Sequence, residues 1–174
     1  MSAHEILSAS AVTRLQDYDG RDIFGDTPDP SRVAEWGLAW RLKDHHFGIR
    51  ADGRLVAHAG LVVLPLSVGG KRMDVVGLGG VAVAEDRRGR GLARRVVSGT
   101  MEHARELGPE FAILFCRPDV ADLYRRLGWQ EVADEVEVEQ PAGPTVMPLW
   151  TMWFALRDGS RWPAGPVRLH SRPM

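Results

Sequence analysis

The middle of the chain consists of long apolar stretches separated by short polar breaks. The breaks Asp52-Gly53 and Gly69-Gly70 have the composition of tight hairpin turns. Strands joined by such short turns pair most simply with their neighbours, so the pattern predicts an antiparallel meander. Its three strands are predicted at residues 46–50, 54–66 and 73–83.

A helical pattern follows the meander. Apolar residues recur at three- and four-residue spacing until Gly108-Pro109, with charged residues on the other face, which predicts an amphipathic helix. The continuous apolar run 111–116 predicts a strand buried on both faces, and Pro118 begins another helix that ends at Gly128. A strand, a helix and a strand in succession predict a parallel pair. The apolar positions of the first helix are Ala93, Val96, Val97, Thr100, Met101, Ala104 and Leu107.

The two ends of the chain carry weaker patterns. Residues 4–10 predict a short first strand, residues 12–24 have weak helical spacing, and Ser31 is a candidate helix start. Residues 131–139 and 149–156 predict two late strands. We therefore expect one α+β domain over residues 1–174, with a mixed, mostly antiparallel sheet, about four helices, and a tail at 158–174 packed on it.

Composition adds limits to this prediction. The chain has 174 residues, of which 44% are hydrophobic, and its net charge is −1. A net charge this close to zero gives no general attraction to nucleic acid or to an anionic membrane, so we expect neither as a partner. Cys116 is the single cysteine, which excludes an internal disulfide and fits a reducing compartment. We find no signal peptide or membrane-spanning run, and expect a cytoplasmic protein.

A basic, glycine-containing loop connects the third meander strand to the long helix. Arg88, Gly89, Arg90 and Gly91 lead directly into Leu92 and Ala93 at the helix start. The N-terminus of a helix carries N–H groups without partners and the positive end of the helix dipole. Glycines let the backbone approach a ligand closely, and arginines add positive charge. The loop predicts a binding site for a phosphate or a pyrophosphate.

The loop belongs to a pair of motifs. Arg88 to Ala93 fits the pattern Arg/Gln-x-x-Gly-x-Gly/Ala after a Val-Ala-Val strand, and the run 123–129 (Leu-Tyr-Arg-Arg-Leu-Gly-Trp) resembles the turn Tyr-x-x-x-Gly-Phe. In this order and spacing, over residues 45–140, the motifs resemble the GCN5-related N-acetyltransferase (GNAT) superfamily. Members of that superfamily transfer an acetyl group from acetyl-CoA to an amine.

The resemblance implies roles for particular residues. Backbone groups of Val81, Ala82 and Val83 would bind the pantetheine arm of acetyl-CoA, on a strand that splays away from its neighbour. The Val81 N–H would donate to the thioester carbonyl and stabilise the oxyanion of a tetrahedral intermediate, and Tyr124 would protonate the departing thiolate. The pyrophosphate would bind to the amides of the loop, which are those of Arg88, Gly89, Arg90, Gly91, Leu92 and Ala93.

Two subgroups resemble the C-terminal half. Gly80 to Val83, Leu123-Tyr124, Gly128-Trp129 and the tail resemble the aminoglycoside 2′-N-acetyltransferases, and residues 162–165 resemble the nodulation acyltransferases. The chain departs from the aminoglycoside enzymes at Gly79, where they carry a glutamate. Their acidic and tryptophan substrate contacts align with Pro166 and Arg168. A polycationic substrate needs carboxylates, and Asp26 and Asp29 are the remaining candidates.

Other reactive side chains have simpler interpretations. Cys116 ends a buried strand, where a small core residue is favoured over an acyl-cysteine nucleophile. His58 lies in the middle of a strand, where a structural histidine is favoured over a base, and His45, His46 and His103 are expected at the surface. No histidines and cysteines cluster at metal-ligand spacing, so no metal is predicted.

The sequence leaves three functions open. The leading one is an N-acetyltransferase that uses acetyl-CoA and a small-molecule amine by direct attack. The alternatives are transfer of a longer acyl chain to an amino sugar, and a non-catalytic module that binds acyl-CoA. A homodimer is also left open. The general base is unassigned; water, His58 and a carboxylate from the first helix are the candidates.

Overall fold

In the computed structural model, which describes residues 11–27 and 33–174, ten strands form one mixed sheet. Seven of the strand pairs are antiparallel and two are parallel, which confirms the α+β class and the mostly antiparallel sheet. The strands are β1 (Thr13–Leu15), β2 (His45–Ala51), β3 (Arg54–Val68), β4 (Lys71–Val83), β5 (Phe111–Cys116), β6 (Gln130–Glu131), β7 (Val136–Val138), β8 (Thr145–Val146), β9 (Trp150–Ala155) and β10 (Val167–Leu169). Their order is β6-β9-β5-β4-β3-β10-β7-β8, and β2 lies between β3 and β1.

The predicted meander is present as β2, β3 and β4, paired antiparallel in sequence order. Both turns use residues with positive φ: Asp52 (52°) with Gly53 (75°), and Gly69 (56°) with Gly70 (83°). Two successive positive φ angles are characteristic of the type I′ turn, whose twist matches that of the strands it joins. The Asp-Gly and Gly-Gly pairs therefore determine where the meander folds back.

Three α-helices and four short 3-10 helices occur in the described part of the chain. The α-helices are α1 (Arg21–Phe24), α2 (Leu92–Ala104) and α3 (Ala121–Arg126), and the 3-10 helices are Val33–Trp36, Glu85–Arg87, Arg105–Leu107 and Pro118–Val120. None of these helices is long and apolar enough to cross a membrane. Residues 12–24, whose helical spacing is weak, contain the strand β1 and the single turn of α1. The strand predicted at 4–10 and the helix start at Ser31 lie outside the described residues.

The sheet has an apolar core on each face. On one face α2 and α3 pack over alternate residues of β3, β4 and β5, and the apolar stripe predicted for α2 is buried there. The second core lies on the opposite face, around β7 and β10. The predicted tail contributes β10, which pairs antiparallel with β3 and parallel with β7.

The parallel pair predicted around the long helix is β4 with β5. Val76 to Leu78 pair with Ala112 to Leu114, and both strands then continue without further pairing to each other. The sheet therefore opens between the end of β4 and the end of β5. The loop before α2 lies directly beyond this opening along the chain.

Candidate functional site

The opening in the sheet exposes one edge of β4. Gly79, Ala82 and Val83 pair with β3 on one side, and the register gives residues 79–83 no partner on β5. Val81, Ala82 and Val83, which are predicted to bind the donor, are half-buried there, and Val81 and Val83 pack against the core under α2. An unpaired strand edge offers main-chain N–H and C=O groups to an extended ligand, as an added strand would.

A bulge lies at the start of this edge. Gly79 pairs with Gly60 and Ala82 pairs with His58, so Gly80 and Val81 together face the single residue Ala59. Gly80 has φ = +62°, a conformation that side chains of L-residues rarely adopt. The bulge takes the Gly80–Val81 peptide out of the regular pairing with β3, and bulges commonly redirect groups next to functional sites.

The basic loop leaves the N-terminus of α2 open. Gly89 and Gly91 have φ of +75° and +76°, and Gly91 is the residue before the helix. Within the described residues no side chain caps this end and no acidic residue lies in the first turn. The first N–H groups of α2, beginning with Leu92 and Ala93, are thus available for an anion. A side chain at Gly89 or Gly91 would strain the left-handed backbone that turns these groups outward.

The three arginines of the loop have different surroundings. Arg87 forms an ion pair with Asp52 at 3.3 Å, and Arg88 Nε lies 3.4 Å from the Val83 carbonyl oxygen. Arg90 is exposed at the tip of the loop. Besides adding positive charge, Arg87 therefore contacts the β2–β3 hairpin and Arg88 contacts β4.

Tyr124 points from α3 into the core beneath the opening. Its side chain is buried, and its ring packs edge-on against that of Trp129, with the ring centroids 6.2 Å apart. Tyr124 belongs to the same apolar cluster that Val81 packs against. Burial raises the pKa of Tyr124 well above its usual value, with a smaller contribution from Cys116. The phenol therefore stays protonated at neutral pH, which is the form that a proton donor needs.

Cys116 is a core residue, as the sequence favours. It is 6% exposed, its Sγ lies 3.9 Å from the Met152 Sδ, and burial raises the pKa of its thiol to about 11. Because the thiolate is the nucleophilic form, these surroundings make Cys116 a poor nucleophile.

His58 lies under the bulge with both ring nitrogens engaged. Nδ1 is 2.7 Å from the Gly80 carbonyl oxygen, and Nε2 is 2.9 Å from His46 Nδ1. The ring of Tyr18 stacks on His58 at 3.5 Å. The expectation that His45, His46 and His103 lie at the surface is wrong, because all three are half-buried, His46 against His58 and His103 stacked on Phe47. Sequence spacing gives no sign of this grouping, since His46 and His58 meet through the pairing of β2 with β3 and Tyr18 comes from the segment after β1.

A larger side chain at Gly79 would require its neighbours to move. A Cβ there would lie 2.7 Å from Lys43 Cε and 3.1 Å from the main-chain carbonyl of Met174. The glutamate of the aminoglycoside enzymes would have to displace both. Asp26 lies exposed after α1, and Asp29 is outside the described residues. Lys43, which covers Gly79 and Gly60, is a residue of this region that the sequence motifs miss.

No group of three or more His, Cys, Asp or Glu side chains in the described residues has the geometry of a metal site. The groups that the structure places around the opening and its bulge include the main-chain groups of β4, the buried phenol of Tyr124 and the imidazoles of His46 and His58, whose pKa values burial lowers.

Comparisons with known proteins agree with this architecture. A family model described as an acetyltransferase (GNAT) domain matches residues 19–132. Comparison with curated protein sequences gives no significant match.

Three solved structures resemble the fold. YhbS from Escherichia coli, a GNAT family N-acetyltransferase solved in complex with CoA, has a TM-score of 0.59 and 21% identity over 92% of this chain and 89% of its own. The ribosomal-protein-S18-alanine N-acetyltransferase from Escherichia coli has a TM-score of 0.54 and 17% identity, covering 87% and 99%. A GNAT family acetyltransferase from Brucella melitensis, in complex with acetyl-CoA, has a TM-score of 0.52 and 15% identity over 92% of this chain and 97% of its own.

Proposed function

Because the chain belongs to the GNAT acetyltransferase family, we propose that it transfers an acetyl group from acetyl-CoA to a primary amine of a small molecule. One observation carries the proposal: the unpaired edge of β4 is followed, after the short segment 84–91, by the uncapped N-terminus of α2. The edge suits an extended amide-bearing arm, and the helix end suits a pyrophosphate. Acetyl-CoA carries both groups in that order.

The donor's groups match three parts of this chain. The main chain of Val81, Ala82 and Val83 would pair with the pantetheine arm. The amides of residues 88–93 would hold the pyrophosphate, with Arg90 adding charge from the loop tip. The Gly89 and Gly91 conformations support this role, because any larger side chain there would disfavour the shape of the loop.

In the reaction we propose, the amine lone pair attacks the thioester carbonyl carbon, and the Val81 N–H stabilises the negative charge that develops on the carbonyl oxygen. One such donor contributes about 3–4 kcal/mol in other enzymes. The carbon–sulfur bond then breaks, and the thiolate takes the hydroxyl proton of Tyr124. The attacking amine loses its extra proton to water, and proton exchange with solvent returns the proton to Tyr124. Since both nitrogens of His58 are engaged, its geometry argues against a direct role as the base.

The acceptor class is proposed on the sequence alone. Position 79 is a glycine and offers no carboxylate to a polycationic substrate, which argues against an aminoglycoside. The closeness of the C-terminal half to the aminoglycoside enzymes remains a prediction, as does a cytoplasmic location.

The test is release of CoA thiol from acetyl-CoA in the presence of aminoglycosides, amino sugars, polyamines, amino acids and peptides, with mass spectrometry of each acceptor. We expect amine-dependent thiol release with one of these classes and an acceptor mass increased by one acetyl group. Long-chain acyl-CoA donors in parallel reactions test the longer-chain alternative. Tight CoA binding by calorimetry, with no turnover across the panel, would contradict the proposal and favour the non-catalytic module.

A further inference from the structure

We propose that His58 is a positioning residue, which holds the Gly80–Val81 peptide so that the Val81 N–H faces the donor's thioester carbonyl. The inference rests on the proposed function above and assigns to it a side chain that does not itself touch either substrate. It begins with one hydrogen bond, between His58 Nδ1 and the Gly80 carbonyl oxygen at 2.7 Å.

That bond fixes the direction of the Val81 N–H. A carbonyl oxygen only accepts, so His58 Nδ1 carries the proton and donates it. In a trans peptide the C=O of one residue and the N–H of the next lie in one plane and point in opposite directions. The structure has no cis peptide bond within its described residues. Holding the Gly80 oxygen on the side of His58 therefore turns the Val81 N–H to the other side.

The peptide needs such support because it lies in the bulge. The register gives neither Gly80 nor Val81 a partner on β3, so regular sheet pairing does not set the orientation of their shared peptide. The positive φ of Gly80 adds freedom, since glycine adopts many conformations that other residues do not. The His58 ring also lies close to the chain here: a Cβ at Gly80 would be 3.3 Å from His58 Cε1.

His58 is itself held on its remaining sides. It is 1% exposed, the Tyr18 ring stacks on it with an interplanar angle of 7°, and Nε2 is 2.9 Å from His46 Nδ1. With His58 neutral, its Nε2 accepts a hydrogen bond from His46 Nδ1–H, which fixes the tautomer that leaves His58 Nδ1 as a donor. Connected hydrogen bonds polarise one another. Donation to the Gly80 oxygen thus also makes the Val81 N–H a stronger donor.

One spectroscopic measurement reports on this peptide alone. Gly80-Val81 is the only glycine–valine pair in the sequence. Protein labelled with ¹³C at glycine carbonyls and ¹⁵N at valine therefore gives a single peak in an HNCO spectrum, with the Gly80 carbonyl and the Val81 amide as its coordinates. Loss of the hydrogen bond in His58→Ala moves the Gly80 ¹³C resonance upfield, and His58→Asn, whose amide nitrogen replaces Nδ1, restores it.

The kinetic test uses the same two variants and a matched control. Leu66→Ala removes a fully buried side chain from the far end of β3, in the core on the opposite face of the sheet, so it loses packing without touching the bulge. Relative to this control, we expect His58→Ala to lower kcat by about ten- to a hundredfold, somewhat less than the loss of a whole oxyanion donor. The KM for acetyl-CoA should stay unchanged, and His58→Asn should recover most of kcat.

The outcomes separate this inference from the proposed function. An unchanged carbonyl resonance in His58→Ala, or a kcat loss no larger than that of Leu66→Ala, would overturn the positioning role while leaving acetyl transfer intact. Failure of His58→Asn to recover kcat, although it restores the carbonyl resonance, would also overturn it. Absence of turnover by the unsubstituted protein would overturn the proposed function, and the catalytic meaning of His58 with it.

Discussion

Leu78 and Leu114 are the last residues that pair β4 with β5. Both strands continue beyond that pair, so the sheet opens at this point, and every main-chain group proposed to bind the donor lies past it on β4 or in the following loop. Tyr124 and Cys116 approach the opening from the core beneath α2 and α3. The pair Leu78–Leu114 therefore marks the point beyond which we propose that an acyl donor binds.

Gly91→Ala should weaken donor binding. Because Gly91 has φ = +76°, alanine there costs about 1–2 kcal/mol in the conformation that presents the α2 amides. This corresponds to a KM for acetyl-CoA raised about five- to thirtyfold, with a smaller effect on kcat. Initial-rate kinetics with varied acetyl-CoA measure it.

Gly159→Ala is the matched control for that loop variant. Gly159 has φ = +78° and, like Gly91, no atom within 4 Å of the Cβ position, but it follows β9 rather than β4. We expect a similar loss of stability on thermal unfolding and an unchanged KM. Equal KM values for the two variants would contradict binding of the pyrophosphate at the N-terminus of α2.

Tyr124→Phe should lower kcat by at least about tenfold, since general acids typically contribute roughly 10²–10⁴-fold. The ring and its contact with Trp129 remain, so the free energy of unfolding should change little. Burial raises the pKa of Tyr124, so the wild-type rate should show no alkaline loss from this group below about pH 10. An unchanged kcat in Tyr124→Phe would remove the phenol from the mechanism.

We expect Cys116→Ala to turn over at the rate of the wild-type protein. With the pKa of the thiol raised to about 11 by burial, only about one thousandth of it is ionised at pH 8, and the side chain is 6% exposed. We expect slow alkylation of the folded protein by iodoacetamide and fast alkylation in urea. Loss of turnover in Cys116→Ala, with a covalent acetyl adduct on the wild-type thiol, would instead indicate transfer through an acyl-cysteine.

Stability should depend on pH through His58. Burial lowers the pKa of His58 to about 4 from 6.5, opposed by the hydrogen bond to Gly80 and assisted by the charges of His46 and Lys43. The unfolded chain therefore binds more protons between these two values, and stability falls as the pH drops from 6.5 to 4. At 1.36 kcal/mol per unit, the loss is about 3 kcal/mol.

The comparison with His58→Asn isolates this dependence, because asparagine keeps a donor but does not titrate. Urea unfolding at pH 7.5, 6, 5 and 4 should show a shallower fall in the free energy of unfolding for the variant than for the wild type. Parallel curves for the two proteins would contradict a buried neutral imidazole at position 58.

The elements that sequence reasoning predicts well are those with a local physical signal. The Asp52-Gly53 turn and the apolar stripe of α2 depend on neighbouring residues, and the structure confirms both. The parallel pairing of β4 with β5 follows from the helix between them. Gly89 and Gly91 have positive φ angles, and the anion-binding role of their loop stays a prediction.

The features that the sequence does not predict are long-range. His46 and His58 meet because β2 and β3 pair in one register, and Tyr18 reaches them from a segment with only weak periodicity. The packing of Lys43 and Met174 against Gly79 joins residues that are far apart in the sequence. No spacing rule relates such positions, so the sequence does not identify a base or a specificity residue on the acceptor side of the opening.

Direct transfer in a ternary complex is the central claim, and initial velocities over a grid of acetyl-CoA and acceptor concentrations test it most directly. Using an amine identified by thiol release, we predict double-reciprocal lines that intersect, because both substrates must be bound before the carbon–nitrogen bond forms. Parallel lines, the signature of a covalent acyl-enzyme, would contradict the claim.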